Sequence, residues 1–139
     1  MIILDTNVLS ELMRPAPERA VLAWMEDQPA SLLFTTAIAE AEIFYGLALL
    51  PKGRRRRSIE QAAHLMFTED FTERVLPFDS AAAREFATIT ATRRVLGRPL
   101  ASLDAQIAAI ARAHRAAVAT RNTTDFEACG VDLVNPWSV

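Results

Sequence analysis

Four carboxylates in this chain stand where their types and spacing could do chemistry. Asp5 follows an apolar run in "MIILDTNVLSEL", Glu42 lies inside "AEAEIFYGLALL", Asp104 falls in "ASLDAQIAAIA", and Asp125 lies in "ATRNTTDFE". Each aspartate also has an ordinary reading: an Asx-turn after a strand for Asp5, a favourable charge at a helix N-terminus for Asp104, a cap on a short turn for Asp125. Glu42 is harder to place. At helical spacing it shares a stripe with Ile38, Tyr45 and Leu49, where a core residue is expected, and no basic residue lies one turn away. Glu40 falls nearly opposite, beside Phe44 and Leu47, and reads as peripheral. Carboxylates gathered in one pocket raise each other's pKa unless cations neutralise them. Oxygen-only ligands select hard cations such as Mg²⁺ or Mn²⁺, and an acidic cluster of that kind suits phosphodiester hydrolysis.

The elements that must position these acids alternate short apolar runs with helical periods. Strands are predicted at residues 1–4, 31–36, 74–78 and 116–120, with a short fifth at 131–136. Helices are predicted at 7–28, broken near "RPAP" with Pro17 opening the second part, and at 37–50, 54–71, 80–96 and 103–115. Thr35 or Thr36 is placed to cap the third of these and Asp79 the one that starts at residue 80. Strands separated by helices imply an α/β fold with a parallel sheet, and such sheets form sites outside the carboxyl ends of their strands. Asp5 and Asp125 follow strand ends, and Asp104 starts a helix.

Length and composition allow one domain. The chain has 139 residues, 51% hydrophobic and 23% charged, which is enough to bury a core without staples. No apolar stretch reaches bilayer length, and the N-terminus lacks the pattern of a signal peptide. Cys129 is the single cysteine, so no internal disulfide forms, and a reducing cytoplasm is expected. The net charge of −2 gives no global positive field. Local charge is more telling: Arg54, Arg55, Arg56 and Arg57 form a block, and Arg93, Arg94 and Arg98 a looser one.

In order along the chain, "MIILDTNVLSEL", "TTAIAEAEIFYGL", "LDAQIAAIA" and "ATRNTTDFE" resemble the motifs of PIN-domain ribonucleases, and in particular the VapC/FitB-type toxins of bacterial toxin–antitoxin pairs. The resemblance extends through "LLPKGRRRR" to the terminal "GVDLVNPW". It implies a single PIN-like domain over residues 1–139, a three-layer α/β/α sandwich around a central parallel sheet of four to five strands. It implies cleavage of RNA that depends on Mg²⁺ or Mn²⁺, by acids matching Asp5, Glu42, Asp104 and Asp125, with Asp5 and Asp104 as direct metal ligands. Thr6 and Asn7 match the polar pair that supports the first aspartate, and Thr120 and Asn122 match polar positions near the fourth acid. The implied partners are RNA, a small antitoxin whose C-terminal segment blocks the site, and a second copy of the chain. The predicted helix at 37–50 is apolar nearly all round, which independently asks for a cover on most sides. The block Arg54, Arg55, Arg56 and Arg57 reads either as a solvated helix face or as a contact to RNA phosphates or to an acidic antitoxin segment.

Other chemistries fit less well. A haloacid-dehalogenase-like phosphatase needs a second aspartate two residues after the first, where this chain has Asn7, and a later lysine, whereas Lys52 is the only one. A receiver domain needs paired acids after the first strand. Gly46, Gly53, Gly97 and Gly130 are isolated, so there is no phosphate-cradling loop. His64 and His114 lack metal spacing, Cys129 has no histidine near it in sequence, and Trp24 and Trp137 read as packing residues. The alternative from another class is a catalytically silent PIN-like binding module that acts only through a protein partner.

Overall fold

Strand β1 (Ile2–Leu4) lies in the middle of the sheet, and the rest of the chain is arranged on its two sides. The computed structural model describes residues Met1–Val139. Five strands, β1, β2 (Leu33–Thr36), β3 (Val75–Leu76), β4 (Ala117–Ala119) and β5 (Leu133–Val134), pair in the order β3-β2-β1-β4-β5. All four pairings are parallel, with Ile3 opposite Phe34 on one side and Val118 on the other. The chain first winds outward from β1 to β3, then crosses back to β4 beside β1. The β1/β4 boundary is therefore the switch point, where the carboxyl ends of parallel strands open a crevice.

Side-chain alternation along β1 defines the three layers. Leu4 packs with α1 (Thr6–Leu12), α2 (Arg19–Glu26), α3 (Ala37–Ala48) and α4 (Arg54–Leu65) through Val8, Leu9, Trp24, Ile43 and Ala63. Ile3 faces the other layer, α5 (Ser80–Val95) and α6 (Ser102–Ala113), through Ile89, Ile107 and Ile110. Helix α6 buries the unbroken run from Ile107 to Ala111 because its alanines let neighbouring elements approach closely. The result is the α/β/α sandwich implied by the resemblance. No helix is long and apolar enough to cross a membrane.

Several boundaries differ from the sequence reading for local reasons. Helix α1 ends at Leu12, and α2 begins at Arg19 with Glu18 as its N-cap, so Pro17 precedes the helix rather than opening it. Residues Ala30–Leu32 form a 3₁₀ turn, which shortens β2. The helix predicted to reach residue 71 stops at Leu65, and a wider π turn covers Met66–Asp70. The expected caps form: Thr36 accepts from the Ala39 amide at 3.1 Å and Asp79 from the Ala82 amide at 3.0 Å. The apolar stripe of α3 is turned from the predicted one. Ala39, Ile43 and Leu47 are buried, whereas Tyr45 and Leu49 are 67% and 68% exposed. Glu42 therefore stands at the edge of the buried face.

Ile107 is fully buried at the centre of the α5/α6 layer. Ile107→Ala is expected to cost about 2–5 kcal/mol. Urea denaturation checks this as a lower midpoint with an unchanged slope.

Candidate active site

Asp5 is fixed at the end of β1 by the chain itself. Its amide donates to the Ala119 carbonyl at 2.9 Å, which clamps the ends of β1 and β4 together. Its Oδ1 accepts from the Thr6 amide at 2.8 Å, capping α1. Its Oδ2 accepts from the buried Thr120 hydroxyl at 2.8 Å. That hydroxyl also accepts from Asn7 Nδ2 at 3.2 Å and from the Asn122 amide at 3.0 Å. With both lone pairs taken, its only proton is committed to Asp5. Asn7 Oδ1 in turn accepts from the Arg121 amide at 3.3 Å. Thr6, Asn7, Thr120 and Asn122 thus form one polar frame around a carboxylate that is only 4% exposed.

The other acids arrive from separate elements. Glu42 sits in the middle of α3, where its Oε1 accepts from the Thr6 hydroxyl at 2.9 Å. Asp104 lies in the first turn of α6. Asp5, Glu42 and Asp104 line one open, mostly polar pocket of about 480 Å³ at the switch point. Burial pushes the Asp5 carboxyl above its ordinary pKa; its bonds from Thr120 and Thr6 work against this, and the charges of Glu42 and Asp125 add to it. Asp104 is raised too, first by burial and then by Asp5 and Asp125. Asp125 does not line the pocket. It is exposed, in a 3₁₀ turn after β4 (Thr123–Phe126), and acts on the other two aspartates through its charge.

Three contributors escaped the sequence reading. Glu11, on α1, is 5% exposed and also lines the pocket. Arg14 pairs with it at 3.3 Å, and the Glu18 amide donates to it at 3.1 Å, so its charge is neutralised and it ties down the turn between α1 and α2. The Glu–Arg spacing of three was the one signal in the sequence. Arg121, at the pocket rim, lies over the Trp137 ring at 5.2 Å, and nothing local in "ATRNTTDFE" foretells it. Arg93 is 4% exposed. It donates from Nε to the Arg98 carbonyl at 2.6 Å, and from Nη1 to the Asp125 carbonyl at 2.8 Å and the Glu127 carbonyl at 2.6 Å. One buried guanidinium therefore joins the loop that leads to Asp104 with the loop that carries Asp125. Its place in a loose arginine block gave no hint of burial.

The arginine block separates on inspection. Arg56 is engaged within the fold by Glu60 at 2.6 Å and the Leu50 carbonyl at 3.2 Å. Arg55 borders a cavity shared with Ser10 and Arg14, next to the acid pocket, whereas Arg54 and Arg57 are exposed elsewhere on α4. A larger apolar groove, about 540 Å³, lies between α1, α2 and α4 and is lined by Leu12, Met13, Met25, Ile59, Met66 and Phe71. It contains none of the four acids, so its chemistry is packing, not catalysis.

The donor set is oxygen alone. No three acidic, histidine or cysteine side chains converge tightly enough to form a complete protein cage for a metal. That excludes a tetrahedral zinc-type site and fits Mg²⁺, which is held by one or two carboxylates and otherwise by water and substrate phosphate.

Comparison with known proteins covers nearly the whole chain. The family model described as PIN domain matches residues 2–130. The VapC ribonuclease Y4jK of Sinorhizobium fredii is 44% identical over 137 residues, covering 99% of this chain and 98% of the relative. Toxin FitB of Neisseria gonorrhoeae is 38% identical over 99% of both chains. The crystal structure of FitAcB from Neisseria gonorrhoeae superimposes with a TM-score of 0.93 at 37% identity, covering 100% of both chains. A buried aspartate after the central strand, acids brought to it from α3 and α6, and similarity along nearly the whole length lead to one assignment: the chain belongs to the PIN-domain family.

Proposed function

We propose that this protein is a metal-dependent endoribonuclease and the toxin of a toxin–antitoxin pair. The observation that carries the reading is the convergence of Asp5, Glu42 and Asp104 on one pocket at the β1/β4 switch point, where their burial and mutual repulsion call for a cation. Relatives named as a VapC ribonuclease and a FitB toxin support it. Asp5 and Asp104 are the residues to hold Mg²⁺ or Mn²⁺, with Glu42 and Asp125 completing the acidic field. When bound, the ion lowers the pKa of a coordinated water and stabilises charge on the phosphoryl oxygens. The chain's own part is to orient. Thr120 and Thr6 fix the rotamer of Asp5, and Thr6 links Glu42 to the same frame, so the carboxylates face the pocket before substrate arrives.

The apolar groove beside the pocket suits an antitoxin segment, because the cavity next to both shares Met13, Ser58 and Ile59 with the groove, and Ser10 and Arg14 with the acid pocket. A segment lying in the groove would end at the acids and block them. The exposed Tyr45 and Leu49 on α3 suit a second copy of the chain. The buried Cys129 is compatible with action in the cytoplasm.

The test is cleavage of a panel of structured RNAs by antitoxin-free protein with Mg²⁺, with Mn²⁺ and with chelator. Asp5→Asn and Asp104→Asn are each expected to reduce the metal-dependent rate by about a hundredfold or more. Metal binding by the wild type without any cleavage would instead favour the silent binding module. Stability gives a second readout. A carboxyl whose pKa is raised on folding binds its proton more tightly in the native state, so stability falls as pH rises from the unfolded-state value through the raised native one. Asp104→Asn is therefore expected to melt higher than wild type at pH 7 in chelator, with the gain vanishing below about pH 4. Excess Mg²⁺ should raise the melting temperature of wild type more than that of the variant. For the dimer, Tyr45→Glu with Leu49→Glu is expected to halve the mass measured by light scattering at micromolar concentration.

A further inference from the structure

The rim of the acid pocket holds a guanidinium that the acids do not use. Arg121 and Arg14 both line the pocket, but only Arg14 is matched by a carboxylate, that of Glu11. Arg121 has no acid within ion-pair range and is exposed. It lies instead over the Trp137 ring, 5.2 Å from the centroid. The ring is itself held: the Trp137 amide donates to Asn135 Oδ1 at 2.9 Å, and its body packs on the core that contains Leu4 and Trp24. Its Nε1 is buried without an acceptor, so its face, not its N–H edge, is what it offers to the rim. The Arg121 amide is anchored to Asn7, and Asn7 to the Thr120 hydroxyl that holds Asp5. The backbone of this residue is therefore set relative to the buried aspartate, and its guanidinium is set by the ring.

We propose that Arg121, seated on Trp137, is a binding site for an RNA backbone phosphate beside the bond that is cut; this rests on the nuclease reading above. A guanidinium lying on an aromatic face keeps its N–H edge free, and that planar fork fits a phosphate two-pronged. The need for it follows from the pocket. Its carboxylates repel a polyanion, and a fixed cation on the rim offsets the repulsion and sets the register of the strand. Trp137 is a positioning residue that acts through Arg121.

The probe is a fluorescein-labelled, mixed-sequence, 20-nucleotide single-stranded RNA. Its binding is followed by anisotropy against salt in Mg²⁺, in an Asp104→Asn parent that does not turn it over. Arg121→Ala is expected to weaken binding about tenfold and to lower the log–log salt slope by roughly 0.7, the value for one phosphate contact on a single strand. Arg121→Lys should keep the slope while losing part of the affinity. Trp137→Phe should retain affinity and Trp137→Leu should lose most of what Arg121→Ala loses, with no additional loss when the two are combined. Arg14→Ala, whose charge is already matched, should change the slope less than Arg121→Ala. A parent that binds RNA with an Arg121→Ala variant equal to it in affinity and slope overturns the phosphate site alone. A parent that binds no RNA, together with a wild type that cuts none, overturns it along with the nuclease reading.

Discussion

Everything near the site depends on keeping one carboxylate buried at the end of the central strand. Asp5 cannot shed its desolvation cost by moving, because its amide is part of the β1/β4 junction and its Oδ1 caps α1. The fold therefore surrounds it with donors, of which the Thr120 hydroxyl is the one with no freedom left. That hydroxyl comes from the strand next to β1. The sheet order, with β4 beside β1, is thus what lets that contact form, and the helices then decide which further acids reach the same place.

Two layers deliver those acids in different ways. Glu42 comes from α3, which packs on Leu4's side of the sheet, and Asp104 from α6, which packs on Ile3's side. The pocket lies where both layers and the strand ends meet. The two apolar cores behind it contain none of the acids, so the acids can be destabilising individually while the framework carries the cost. The raised Asp5 and Asp104 carboxyls are the electrostatic mark of that arrangement.

The legible parts of the sequence were those governed by local rules. The strand–helix alternation, the Thr36 and Asp79 caps and the four ordered motifs all reflect spacing along the chain, and the structure has the strands, helices and caps close to where they were read. The unread parts depend on packing. On α3 the apolar residues were correctly seen on nearly every side, but which stripe faces the sheet is decided by the neighbours, and Tyr45 and Leu49 turned outward while Ile43 and Leu47 turned in. Glu11 was not singled out, because its partners are an arginine beyond the helix end and an amide beyond the turn. Arg93 and Arg121 were invisible for the same reason: their partners are carbonyls and a ring far away in sequence.

The three carbonyls gathered by Arg93 have a consequence for how this protein is rebuilt, by selection or by hand. A buried cation held by three main-chain oxygens, with the Cys129 sulfur as its one side-chain acceptor, depends chiefly on the path of the backbone around it. The loop before α6 and the loop after β4 are far apart in sequence, yet they behave as one part with two ends. An insertion or deletion in either shifts the geometry the other relies on. Loops exchanged between relatives should accordingly be moved as a pair, with the arginine, or left in place together.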